Sequence, residues 1–514
     1  MNLLTQNQKN FLLSIFITAF YFIFLLYAAS FHELWRDEAE VWLFARDTSL
    51  TNLLSYARNT GHPILWHIIL IPFAKFGFPK ITITIIHCFI ATGVVFLILH
   101  YSKIPWLLKF FFCFGYFLVF EYGILARNYS IGIFLTFLAL AFYSKRFANS
   151  IFFTWILFLL YSTNAYSAIV ASGLSLVYLI EIFQLKNKKR IHLVAVSVII
   201  LGGLFFLYQV YPEPDSQKAS FFSWTRVPES LLISFFPENP HLPLSVSYWK
   251  LLFSLFVIFL SGRLFTKFWQ TSIFFIYTIS ALLIFFAFVY MNGPRHAGFL
   301  VITVVSAYWL FLYYEQSSEQ TERKVLVLEK IFQGLIFFSF IFSFYLGILQ
   351  TKKDIDYNYS NAKEMAGFMK NSGYDSEEVF LIAHSPDLCK TVLYYLDYTK
   401  SMYYPAEDRV GSFMFWTKDF QRARFISQEE ILDKILKTNK PKGKIAIAVL
   451  DFPIESKTPD PIVHFSLPGL NLFEHPGFIP IKGYENFQFL YKTSGTNEFM
   501  KDEQFYLYRV LLNE

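Results

Sequence analysis

Residues 11–47 read FLLSIFITAFYFIFLLYAASF and then, without a break, HELWRDEAEVWLFARD; this junction decides the fold. The first part carries no charge and is long enough for a helix to cross a hydrocarbon core of about 30 Å. In the second part, six of the twelve residues 36–47 are charged, in a chain whose charged fraction is only 16%. An ionised group at the bilayer centre costs roughly 2.5–3.5 kcal/mol or more. The charged stretch therefore sits at the water boundary, delivered there by the run before it.

Working outward, the apolar texture continues almost to residue 350. Segments at 11–31, 62–78, 81–100, 105–122, 128–144, 150–165, 167–185, 191–211, 249–262, 270–290, 297–314 and 330–350 approach spanning length. With 514 residues, 55% of them hydrophobic and 64 of them Phe, the chain reads as a polytopic α-helical membrane protein. About 11–12 transmembrane helices are expected. Ala28-Ala29-Ser30 only faintly resembles a cleavage site, and the run before it is too long for a signal peptide, so a retained anchor is expected.

Lys145-Arg146, residues 186–190, Arg263 with Lys267, and Arg323-Lys324 mark cytoplasmic turns. Alternation from them puts 32–61, 122–128, 162–165, 211–248, 291–295 and everything after 350 outside. Lys103 and Lys109 fit only if one early segment does not span. Residues 62–78 are the choice, being short and carrying His62, His67, Pro72 and Lys75. The net charge of +6 is explained by topology and gives no reason to expect nucleic acid. Three cysteines, Cys88, Cys113 and Cys389, have neither disulfide nor metal spacing.

Within the first outer loop, 32–61, Trp35, Ala39 and Trp42 form one helical stripe. Leu50, Leu53, Leu54 and Ala57 form another, with Thr48 and Ser49 as N-caps. Two juxtamembrane helices follow from this. Loop 211–248 is proline-rich and aromatic, which suits headgroup depth. The domains expected are a membrane body, 1–350, and a soluble tail, 351–514. In the tail, 379–383, 402–404 and 445–450 read as strands among the helices 361–371, 388–396 and 429–436, a small α/β unit.

Asp37 and Glu38 are the residues suited to general-base work at the boundary, where partial desolvation raises a carboxyl pKa and Arg36 lowers it. The plainer reading pairs them with Arg36 or Arg46 on a solvated helix face. Arg127 and Arg295 lie at outer helix ends, where they either snorkel or clamp a phosphate. Arginine there runs against the positive-inside preference. His62 opens the next apolar segment, and His296 follows Arg295.

Together R-D-E-A at 36–39, G-H-P-I-L at 61–65 and E-Y-G-I-L-A-R-N-Y at 121–129 resemble the GT-C class of integral-membrane glycosyltransferases. That class includes protein O-mannosyltransferases and the lipid A aminoarabinose transferase, and an extracytoplasmic α/β tail is common in it. The resemblance implies a sugar donor on polyprenyl phosphate and a glycan, lipid or protein acceptor. It makes Asp37 the catalytic acid position and Glu38 its partner. Arg127 and Arg295 would hold the donor phosphate, with His62, Tyr129, His296 and Arg58 as further substrate-binding residues. Any divalent cation would lie on Asp37 and Glu38. The expected location is the bacterial inner membrane, multi-pass, with membrane lipids around it and the tail outside. G-H-P-I-L stands where many relatives have two prolines, which leaves the acceptor type open. The alternative class, a flippase or transporter of lipid-linked sugars, would favour charges near the midplane and internal repeats. Neither pattern is evident here.

Overall fold

The computed structural model describes every residue except 1–4, 188, 217–221, 238–243, 292, 319–321, 385–386, 415, 425, 455–479, 482, 495–498, 500–502 and 513–514. The body is helical: α1 (Gln6–Phe31), α2 (Arg36–Asp47), α3 (Leu50–Thr60), α4 (Leu65–Lys75), α5 (Thr82–Tyr101) and α6 (Trp106–Cys113) come first. A π-helix, Phe117–Ile124, leads to α7 (Tyr129–Phe142), α8 (Ser150–Tyr161), α9 (Ala165–Gln184), α10 (Arg190–Val210) and α11 (Arg226–Phe235). Then follow α12 (Leu244–Phe265), α13 (Trp269–Phe288), α14 (Pro294–Glu315) and α15 (Arg323–Asp356).

Among the described residues nine helices are long and apolar enough to cross a membrane, and three apolar helices, at 65–75, 129–145 and 150–161, are shorter. Hydrogen bonds decide which short ones cross. At the end of the bundle that carries α2, here the upper end, Asn128 Nδ2 donates to the Thr163 carbonyl (3.1 Å) and the Leu65 N–H to that of Ser162 (3.1 Å). At the other end Arg146 pairs with Glu181, and Tyr314 joins them. Helices α7 and α8 therefore run the whole way between the two ends. Helix α4 does not. It starts at Leu65 on the upper end, Lys75 Nζ donates back to the Thr48 carbonyl there (2.5 Å), and Lys80 Nζ donates to that of Leu396 (2.5 Å). Eleven crossings result among the described residues, with the segment at 62–78 held at the upper face as its length and charge suggest. Lys103 and Lys109 then fall at the lower end with the other basic turns.

Large apolar side chains such as Phe16 (71% exposed) and Phe89 (72% exposed) face outward. In water such a girdle would aggregate; against lipid it is the matching surface. Helix α14 is buried from His296 to Phe311, and α11, α13 and the π-helix pack on it.

Helix α15 runs straight through residue 350 to Asp356. After it come α16 (Ala362–Asn371) and α17 (Lys390–Tyr395), then α18 (Lys418–Arg424) and α19 (Gln428–Leu436). They accompany a seven-stranded sheet ordered β3-β2-β1-β4-β7-β6-β5. Its strands are β1 (Val379–Ala383), β2 (Met402–Tyr404), β3 (Arg409–Gly411), β4 (Ile445–Leu450), β5 (Pro480–Ile481), β6 (Tyr484–Lys492) and β7 (Tyr506–Val510). Strands β2, β1 and β4 are parallel and the remaining pairings antiparallel. The three strands and three helices read from the sequence are present; the four strands that complete the sheet, β3, β5, β6 and β7, and helix α18 were not anticipated. This region docks on α2 through α17: Lys390 Nζ, fully buried, meets Glu40, and Tyr395 donates to the Leu34 carbonyl (3.1 Å). Tyr56 donates to the other Glu40 oxygen (2.7 Å), so the buried carboxylate is fully engaged.

Candidate active site

Helix α2 begins at Arg36, so Asp37 and Glu38 lie in its first turn, where a carboxylate is favoured by the helix dipole. Successive helical residues diverge in direction, and these two part company. Asp37 Oδ2 is bonded by Arg127 Nη1, and Arg295 Nη2 stands 4.0 Å from the same oxygen. The three side chains keep partial access, at 29%, 11% and 20% exposure for Asp37, Arg127 and Arg295. The cation that answers Asp37 is thus Arg127, not Arg36 or Arg46. Arg36 lies over the Trp35 ring, and Arg46 pairs with Asp47 (2.6 Å). Burial pushes the Asp37 carboxyl up, but Arg127, with Arg295 behind it, outweighs burial and holds it well below the usual carboxylate range.

Trp35 is the floor of the cluster. The guanidinium carbons of Arg36, Arg127 and Arg295 stand 5.6, 5.7 and 5.4 Å from its ring centroid. Such cation–π contacts pre-arrange guanidinium groups without using their hydrogen-bond donors. Two donors here, Trp35 Nε1 and Arg295 Nε, are buried with no hydrogen-bond partner among the described residues.

The turn at 125–128, between the π-helix and α7, carries Arg127. The π-helix is closed at Gly123, where an added Cβ would lie 2.5 Å from the Leu118 carbonyl oxygen. Arg295 is carried by the first turn of α14, which opens with Gly293 in the left-handed region (φ 81°) and Pro294 at the first helical position. Tyr122 donates to the Arg295 carbonyl (2.7 Å), tying the two segments together. Tyr129 Oη lies 2.9 Å from His296 Nε2, and Tyr166 stacks on His296 at 4.7 Å. These residues form the wall behind Arg295. His62 is part-buried, and burial together with the Arg127 charge lowers it to about 4, so it is neutral at pH 7.

Glu38 is placed differently from its neighbour. It is fully buried: one oxygen accepts from His32 Nε2 (2.9 Å) and the Trp35 N–H (3.3 Å), the other from the Ala126 N–H. Arg58 is not brought to the cluster. Its contacts are with Glu213 (2.8 Å), the Tyr211 carbonyl (3.0 Å) and the Tyr208 ring, all at or just beyond the end of α10. Among the described residues no three His, Cys, Asp or Glu side chains gather to hold a metal ion. With Asp37 on an arginine and Glu38 on a histidine and two amides, the acidic pair does not form a chelating set.

Sequence reading missed Trp35 as the common platform, His32 as the partner of Glu38, and Lys390 as the partner of Glu40. Trp35 had a local signal, an aromatic ring directly before the charged helix; the other two pairings had none.

Among the described residues a helical body of eleven crossings carries, at one end, both an acidic juxtamembrane helix and a C-terminal α/β sheet, and this defines the fold. Among solved structures, the chain is similar in fold to that of ArnT from Cupriavidus metallidurans in the apo state. The likeness covers 84% of this chain and 92% of that one, with a TM-score of 0.51 at 10% sequence identity. By sequence, neither a protein-family model nor a curated protein matches.

Proposed function

We propose that this protein is a glycosyltransferase that moves a sugar from a polyprenyl-phosphate carrier to an acceptor hydroxyl at the outer face of the membrane. One observation carries the reading: two guanidinium groups converge on a single carboxylate at the membrane boundary. The excess of positive charge is larger than the residues alone suggest. Arg127 and Arg295 sit at the N-terminal ends of α7 and α14, where each helix dipole adds about half a positive charge. Cations at those ends are unfavourable unless an anion is to be bound. Two buried donors beside them, Trp35 Nε1 and Arg295 Nε, have no partner among the described residues, and a lipid phosphate supplies both the charge and the acceptors.

The chemistry follows from that arrangement. The donor phosphodiester takes over the guanidinium groups of Arg127 and Arg295, which releases Asp37 from its ion pair and returns its basicity. Asp37 accepts the proton of the acceptor hydroxyl, whose oxygen forms a bond to the anomeric carbon. The bond from that carbon to the phosphate oxygen breaks, and the polyprenyl phosphate leaves as a dianion facing two guanidinium groups. Attack from the Asp37 side, with phosphate departing opposite, inverts the anomeric centre. The prenyl tail needs an apolar surface, which the outward faces of the bundle provide.

The lower end gathers Lys103, Lys109, Arg146, Arg263 and Lys267, so the positive-inside preference makes it cytoplasmic and the Asp37 face extracytoplasmic. The resemblance of the motifs at 36–39, 61–65 and 121–129 to GT-C transferases implies this class of donor, and the likeness in fold to ArnT supports it. The test is consumption of polyprenyl-phosphate sugars by the purified protein, with Asp37→Asn beside the wild type. Release of polyprenyl phosphate by the wild type alone is expected. Near-normal turnover by the variant would overturn the assignment.

A further inference from the structure

Behind the site stand three buried ionisable groups that the transfer step does not use. Asp354, in the last turn of α15, lies 3.0 Å from His32 Nδ1, and Glu38 lies 2.9 Å from His32 Nε2. The exposure of all three side chains is 1% or less. Carboxylates only accept hydrogen bonds, so a ring bonded to one on each side carries both hydrogens and is an imidazolium. Tyr359 packs edge-on against that ring at 4.6 Å. The row does not end at Glu38. Its second oxygen accepts the N–H of Ala126, the residue directly before Arg127. Hydrogen bonds therefore run unbroken from the last membrane helix, through the segment after the first, to the peptide that carries the phosphate-binding arginine.

We propose that Asp354, His32 and Glu38 are a positioning relay, which seats the 125–128 turn so that Arg127 meets Asp37. In this assignment Glu38 acts through the Ala126 peptide and does not touch substrate. The proposal rests on the reading of Asp37 and Arg127 given above. The turn it serves is four residues long, between a π-helix and α7, and the backbone bonds within it are few: Leu125 to the Phe120 carbonyl (3.2 Å) and Arg127 to that of Leu125 (2.8 Å). A misplacement of about 1 Å at a reacting centre costs on the order of 100-fold. An external tether on this turn therefore has a large effect to exert. The relay also explains why α15 continues past the expected boundary at 350: its last turn must reach His32.

The test compares Glu38→Gln, Glu38→Ala, Asp354→Asn and Asp37→Asn in the full-length protein, reading kcat and the donor KM separately, with thermal unfolding as a control. Glutamine keeps an oxygen for the Ala126 N–H and offers its NH2 to a neutral His32. A positioning role therefore predicts that E38Q retains kcat within about 5-fold. E38A releases the turn, and donor KM should rise by roughly 10-fold or more, with kcat/KM down on the order of 100-fold. D354N loosens only the outer link, so donor KM should rise about 3-fold while kcat changes less. E38Q as inactive as D37N, with normal unfolding, would make Glu38 a chemical participant and overturn the proposal. Unchanged kcat/KM in E38A would overturn it as well. If E38A fails to fold, E38Q and D354N still decide. Normal turnover by D37N would remove the base assignment and leave the relay's own comparison, E38Q against E38A, to be read independently.

Discussion

Two clusters of arginine, carboxylate and tyrosine cap opposite ends of α7 and α14, and they are built to opposite rules. At the lower end Arg146 meets Glu181 in a two-bond fork, both contacts 2.7 Å, and Tyr314 donates to the same carboxylate (2.7 Å). Tyr143 and Phe147 cover the guanidinium at 4.1 and 4.5 Å, and both charged side chains are 7% exposed. One cation answers one anion, and both carboxylate oxygens are bonded. At the upper end two cations face one anion, Asp37 and Arg295 are about three to four times as exposed, and buried donors stand without partners among the described residues. The residue types are nearly the same. Saturation separates a staple from a site.

The largest expected effect breaks the upper cluster chemically. Asp37→Asn should cut transfer by about 1,000-fold or more while the apparent Tm in detergent stays near the wild-type value, because the loss falls on the reacting step. Next comes the lower cluster. Arg146→Met leaves Glu181 buried without its cation and should cost about 3–5 kcal/mol of stability, with activity per folded molecule kept. If Arg146→Met instead left stability untouched and removed activity, the contrast between the two ends would be wrong.

Smaller effects grade the upper cluster itself. Arg127→Ala should lower kcat by about 100-fold, the loss typical of one donor aimed at developing charge. Arg127→Lys should recover only part of it, since an ammonium lacks the fork. Arg295→Ala should cost less, about 10-fold, because Arg295 stands 4.0 Å from Asp37 and acts on the phosphate alone. Equal losses at 127 and 295 would mean that the two share one role; assays of donor turnover for each variant decide it.

What the sequence disclosed follows from how far each signal travels along the chain. The charged helix at 36–47 was legible because dense charge inside an apolar chain has one physical address, the water boundary. Helix α3 was legible down to its cap, Ser49, which accepts from the Asn52 N–H (3.2 Å). Arg127 and Arg295 stood out as cations on the disfavoured side. What failed was partnership. Arg36 and Arg46 are near Asp37 in sequence, but neighbours on a helix point apart, and the true partner lies 90 residues away. Arg58 looked like a site residue only because it is basic and on the outer loop; its carboxylate, Glu213, lies beyond the next seven α-helices and the π-helix. Lys390 with Glu40 and Asp354 with His32 join residues more than 300 positions apart, and no local pattern announces a bond of that kind.

The smallest effect tests whether the relay is ionised as its geometry requires. Burial alone would lower His32, but Asp354 and then Glu38 overcome it and raise the imidazole to about 10, from an ordinary 6.5. A folded-state value above the unfolded one means that the folded protein binds the proton more tightly. The resulting stabilisation is whole below pH 6.5, shrinks as pH rises from there, and is lost once pH passes about 10. Apparent Tm measured at pH 6, 8 and 10 should therefore fall with pH, by roughly 2 °C or more across the range. In Asp354→Asn the ring has lost its stronger partner and its pKa drops, so the remaining fall should be smaller and completed at lower pH. Arg146→Met leaves every member of the relay in place and should leave the pH slope of Tm as it is in the wild type. A slope removed by Arg146→Met and kept by Asp354→Asn would assign the ionisation to the wrong end of the molecule and break the comparison.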